Sequence, residues 1–172
     1  MLLGSTAEKI FRLSPVPVLT VGPKTPGDAP EHPPQRILYS TGFAAQSLYA
    51  GTFALSLAQQ NQARLAMLNV IRDLPNDSPQ LRAQQEQQNK ARLRELIPAD
   101  AQLAAAPELY VSFGPPADAI LQLADEWNPE LIVLGVRRPE ADARRISWAT
   151  AYNVVANAPC PVLTVRVPEL GN

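Results

Sequence analysis

Histidine and cysteine are almost missing from this chain: one of each in 172 residues. With Cys160 alone, no internal disulfide can form. The only histidine, His32, falls in GPKTPGDAPEHPPQ (22–35), where five of fourteen residues are proline. A Ser-His-Asp triad, a Cys-His pair or a zinc site needs its histidine held rigidly, and a proline-rich linker holds little in place. An excess of either charge is also missing. Lys plus Arg is 15 against 16 for Asp plus Glu, a formal charge of -1. This excludes a polybasic protein driven onto nucleic acid by phosphate neutralisation, and equally an acidic disordered tail. No run of about 18 apolar residues exists to span a membrane. Met1-Leu2-Leu3 leads into Gly4-Ser5 and Glu8 without the basic start and long apolar stretch of a signal peptide. The expectation is a cytoplasmic protein with neither nucleic-acid nor membrane partners.

Catalytic groupings are equally scarce. Ser112, Ser147 and Thr41 have no histidine or lysine base near them in sequence. Cys160 lies between two prolines with no charged neighbour to lower its pKa, so it reads as a packed residue and not a redox thiol. Asp118, Asp125 and Glu126 share a helix, but their spacing makes a wet face and not a carboxylate pair in a pocket. The chain is therefore expected to be no enzyme and to hold no metal.

What is present is the alternation of an α/β domain. At this length one core forms and buries roughly 70% of the surface of the unfolded chain. Short β-branched runs predict strands at RILYS (36–40), RLAMLNVI (64–71), LYVSF (109–113), ELIVLG (130–135) and PVLTV (161–165). Helices are expected between them. Over 44–60 the rows Leu48, Thr52, Leu55 and Tyr49, Phe53, Leu57 have helical spacing. Residues 79–97, rich in Gln and Arg and stopped by Pro98, read as a solvent-facing cover. The segments 116–127 and 147–157 complete the set. Right-handed crossovers then favour a doubly wound five-stranded parallel sheet of order 3-2-1-4-5, with the very apolar ELIVLG strand near the centre and the last strand on an edge.

A repeat adds to this. AEKIFRLSPVPVLTV (7–21) and AYNVVANAPCPVLTV (151–165) end identically. The chain thus reads as one whole domain (36–168) behind a proline-rich linker (23–35), preceded by the last helix and strand of another domain (1–22). PVLTV (17–21) matches the apolar edge strand PVLTV (161–165) in length and composition. An unpartnered edge is an aggregation hazard, so residues 16–21 are expected to lie antiparallel on 161–166, with a helix over 5–13 beside them. The same edge offers a route to a homodimer.

The segments ILYSTGF (37–43), FGPPADAILQLADEWNPELIVLG (113–135) and NAPCPVLTV (157–165), in this order and spacing, resemble the universal stress protein family, and residues 4–21 resemble the end of a second such domain. The resemblance implies a nucleotide loop of pattern G-x2-G-x9-G-S/T after the fourth strand. Carried over, Gly135 matches its first glycine, but the second falls on Arg138, the third on Trp148 and the hydroxyl residue on Ala149. The acidic nucleoside contact in the first turn falls on Gly42. Close phosphate approach at a helix start requires the missing glycines, so ATP is not expected to bind and no cofactor is expected. The resemblance implies a non-enzymatic stress-response module acting through dimerisation. The alternative is a sensor of a small anionic ligand in a degenerate pocket of Gly42, Val70, Gly135 and the loop arginines Arg137, Arg138, Arg144 and Arg145.

Overall fold

The computed structural model describes residues 10, 14–26, 32–72, 78–136 and 148–167, without the side chain of Trp148. In chain order its elements are β1 (Val18–Thr20), β2 (Arg36–Ser40), α1 (Ala45–Asn61), β3 (Arg64–Ile71), α2 (Pro79–Glu95), β4 (Glu108–Phe113), α3 (Pro116–Trp127), β5 (Leu131–Gly135), α4 (Trp148–Asn157) and β6 (Val162–Val165). The strands form one six-stranded sheet ordered β1-β6-β5-β2-β3-β4. Counted from β2, the five parallel strands stand in the expected order 3-2-1-4-5, with β5 in the interior. β1 lies antiparallel on β6, pairing Val18 with Thr164, Leu19 with Leu163 and Thr20 with Val162. The Thr164 hydroxyl donates to the Val18 carbonyl at 3.3 Å. Of the helix expected over 5–13 only Ile10 is described, an exposed residue whose carbonyl accepts the Ser14 N–H.

Two apolar layers sandwich the sheet. α3 and α4 cover one face through Ile120, Ala124, Ala151 and Val154, while α1 and α2 cover the other through Ala50, Ala54, Ala58 and Leu93. The face α1 turns to the sheet is not one of its rows of large residues. It buries Ser47, Ala50, Gly51, Ala54 and Ala58, leaving Leu48 38% exposed and Tyr49, Phe53, Leu55 and Leu57 half-buried on the flanks. The cause is distance. A Cβ on Gly51 would lie 2.8 Å from the Tyr39 hydroxyl, so only small side chains fit between this helix and the strands beneath it.

α2 starts where Ser78 accepts the Leu81 N–H and Pro79 fixes the first turn. It ends at Glu95, ahead of Pro98, and Leu93 is its one buried residue, as a solvent-facing cover requires. α3 is anchored at its far end. The Arg36 guanidinium lies 4.2 Å over the Trp127 ring and donates to the carbonyls of Trp127 and Asn128, placing positive charge on the helix C-terminus. Fixing that end aims the start of α3 at the opposite rim of the sheet, where the strands β2 and β3 finish.

Candidate functional site

At the carboxyl ends of β2 and β3, where ligands sit in doubly wound sheets, lies a cleft of about 370 Å³. Its first wall is the turn after β2, Ser40 to Phe43. The Thr41 backbone N–H donates to the Leu68 carbonyl at 2.9 Å, extending the β2–β3 ladder by one residue. The fully buried Thr41 hydroxyl donates to Ser47 Oγ at 3.1 Å and accepts the Phe43 N–H at 3.0 Å, and Ser47 Oγ accepts the Ala44 N–H and donates to its carbonyl. These bonds hold Phe43 at φ 59°, a left-handed conformation that a bulky residue adopts only under constraint. Gly42, which could take such an angle freely, does not take it. It is exposed, and a Cβ there would meet nothing within 4 Å.

Asn69, Val70 and Ile71 of β3 and Arg72 beyond it form the floor. Asn69 is buried and its amide nitrogen donates to the Thr41 carbonyl at 2.8 Å, locking floor to wall. The third side is Asn89 and Arg92 of α2. Arg92 lies 3.9 Å over the Phe43 ring and donates to Asn89 Oδ1 at 3.3 Å. Pro116, at the start of α3, closes the rim. It is carried there by Gly114, whose φ of 116° suits glycine alone and whose N–H donates to the Ile71 carbonyl at 2.9 Å. A second hollow, lined by Arg72, Gly114, Pro115 and Pro116, adjoins the cleft. Among the described lining residues there are two arginines and no carboxylate.

Of the residues singled out in the sequence, Gly42 and Val70 line this cleft. Gly135 does not: a Cβ there would stand 2.4 Å from the Gln46 carbonyl oxygen and 2.5 Å from Ser47 Cα, so its place is under the first turn of α1. Arg137, Arg138, Arg144 and Arg145 lie outside the described residues. Sequence reasoning missed Phe43, Asn69, Arg72, Asn89 and Arg92. Asn69 carried a legible signal, an amide inside the otherwise apolar run LAMLNVI, whereas Asn89 and Arg92 are lost among the polar residues of α2.

Cys160 stands apart from the cleft, buried in the apolar layer beneath α3 and α4. Burial pushes its thiol up to about 12, with the Glu130 carboxylate adding to the rise and a backbone hydrogen bond from Ile132 opposing it. Iodoacetamide at pH 8 should therefore alkylate the folded protein about a hundredfold or more slowly than the urea-unfolded chain, since the thiolate is the nucleophile. Equal rates would show an accessible, ionised thiol. Among the described residues no group of three His, Cys, Asp or Glu side chains is placed to hold a metal ion, and no helix is long and apolar enough to cross a membrane.

The model of the universal stress protein family matches residues 34–166. A Staphylococcus aureus (strain USA300) protein that bears the universal stress protein name is 30% identical over 143 residues, 79% of this chain and 86% of that one. Among solved structures, the universal stress protein UspA from Lactobacillus plantarum superposes with a TM-score of 0.61 at 28% identity, covering 76% of this chain and 96% of its own. A universal stress protein in complex with cAMP superposes at 0.58 with 22% identity, over 77% and 97% of the two chains.

Proposed function

The chain belongs to the universal stress protein family, and from that membership we propose a non-enzymatic stress-response or regulatory module of the cytoplasm that has lost ATP binding and works as a homodimer through the edge of its sheet. The observation that carries this reading is the seating of β1 on β6. Residues 1–22 are then the last helix and strand of a preceding domain of the same kind, 23–35 the linker, and 36–168 the domain itself. The edge that β1 covers is replaced by the edge of β1, which offers Val16, Leu19 and Val21 at 60–61% exposure. Loss of ATP binding rests on Arg138, Trp148 and Ala149, where close phosphate approach calls for small or hydroxyl-bearing residues. Gly135 is retained for packing against α1. Titration calorimetry with Mg-ATP should register no binding at micromolar concentrations. Micromolar affinity, or nucleotide carried through purification, would overturn this part of the reading.

A second reading is favoured by the cleft: a sensor for a small anionic ligand. Its support is a lining with two arginines and no carboxylate among the described residues, and a structural neighbour solved with cAMP. A thermal-shift series with phosphate-bearing compounds separates the two readings, because a module acting through assembly alone gains no stability from them.

A further inference from the structure

We propose that the anion-holding end of the cleft is formed by Arg72, Arg92 and the start of α3, and not by the loop arginines 137, 138, 144 and 145, and that it takes a compact phosphate monoester with a flat apolar body. This rests on the second reading above, that the cleft holds a small anion. The two arginines differ from ordinary surface cations in what they face. Arg72 makes no hydrogen bond or ion pair among the described residues, and the partners of Arg92 are the neutral Asn89 amide and the Phe43 ring. Among the described residues lining this concave site, neither positive charge faces a carboxylate. Each guanidinium retains N–H donors in the fork geometry that suits phosphate oxygens.

α3 adds to the same end. Its first turn begins with Pro116 after the N-cap Pro115 and has no side-chain cap, so the positive end of the helix dipole lies at the rim that Pro116 forms. Asp118 of that turn is exposed and is not among the residues lining the cleft. The rest of the cleft is shaped for something flat and apolar. Phe43, Val70, Ile71 and Pro116 supply apolar wall, the space over Gly42 is open, and a volume of about 370 Å³ falls in the range of roughly 300–1,000 Å³ typical of small-molecule sites. A ligand lying here has its phosphate toward α2 and the β3 terminus, away from the carboxyl end of β5.

The test is calorimetry on the full chain with phenyl phosphate, inorganic phosphate and phenol. Phenyl phosphate should bind, inorganic phosphate more weakly, and phenol not at all. Arg72→Gln and Arg92→Gln should each weaken phenyl phosphate about tenfold or more, as loss of a charge-assisted contact implies. The combined variant Arg137→Gln, Arg138→Gln, Arg144→Gln and Arg145→Gln should stay within about threefold of the parent. Loss of binding in the loop variant with retention in Arg72→Gln and Arg92→Gln would overturn this placement while leaving the anion-sensor reading intact. Inorganic phosphate binding as tightly as phenyl phosphate would overturn the flat apolar body. Failure of every phosphate-bearing probe would overturn the anion-sensor reading itself, and the placement with it.

Discussion

Gly135→Ala should lower stability by about 3 kcal/mol or more, while Gly42→Ala should stay within about 0.5 kcal/mol of the parent. The contrast follows from what an added Cβ meets. At Gly135 it meets backbone, the Gln46 carbonyl at 2.4 Å and Ser47 Cα at 2.5 Å, which cannot swing aside as a flexible side chain does. Relief requires α1 to lift off β5, and α1 is not free to lift. Its Ser47 carbonyl accepts the Tyr39 hydroxyl at 2.6 Å, and its Ser47 hydroxyl closes the turn through Thr41. Tyr39 is itself buried, its hydroxyl pushed up to about 12 by burial against a lowering hydrogen bond with Thr41, so a lost partner leaves a buried polar group behind. In a chain of this length about 3 kcal/mol corresponds to a fall of roughly 6–12 °C in melting temperature. Urea and thermal unfolding of the two variants provide the measurement. If Gly135→Ala melts with the parent, the close seating of α1 is wrong and a ligand-facing role for this glycine returns.

The same pair of glycines shows how far the sequence is readable. Strands 36–40 and 64–71 were legible to the residue because their apolar runs end where polar or turn residues begin, and crossover handedness narrowed the order of the parallel strands to a few, among which 3-2-1-4-5 is the one observed. The N-terminal strand was legible because PVLTV occurs twice, and an apolar edge calls for a partner. The buried face of α1 was not. Periodicity marks large apolar residues, and close packing over Tyr39 and Gly135 selects small ones, so Leu48 and Leu55 gave a helix but not its orientation. The site was half legible. Val70 lies on β3 and Gly42 in the turn directly after β2, two strands whose register the pattern sets. Arg92 enters only because α2 packs across β3 and β4 with Phe43 beneath it, a juxtaposition of residues 49 positions apart that no local pattern carries. The left-handed residue of the turn is Phe43 and not its glycine neighbour, since the Thr41–Ser47 bonds override the local preference.

Leu19→Lys should convert the proposed dimer to a monomer with little change in melting temperature, and deletion of residues 1–22 should abolish that proposed dimer and lower melting temperature and solubility together. In the folded protomer Leu19 is 60% exposed, so a charge there disturbs little within one chain. On the outer edge of a sheet, a lysine is the residue that discourages pairing with another strand. The segment SPVPVLTVG (14–22) carries no charge of its own to discourage it, although Pro17 removes one donor and confines pairing to the residues that follow. Deletion acts differently. β1 covers Val162 and Thr164, buried at 0% and 2% exposure, and Gly22 packs so closely that a Cβ would fall 2.3 Å from the Val155 carbonyl of α4. Removing the segment uncovers both the apolar side chains and the ladder groups of β6. Sedimentation velocity of the parent, the point variant and the truncated chain reads each effect. A truncated monomer beside a Leu19→Lys dimer would mean that β1 is exchanged between copies, which the proline-rich stretch 23–35 permits because its thirteen residues reach about 43 Å when extended. A parent chain that sediments as a monomer, or a truncated chain with the parent's mass and melting temperature, would remove assembly through this edge as the protein's mode of action.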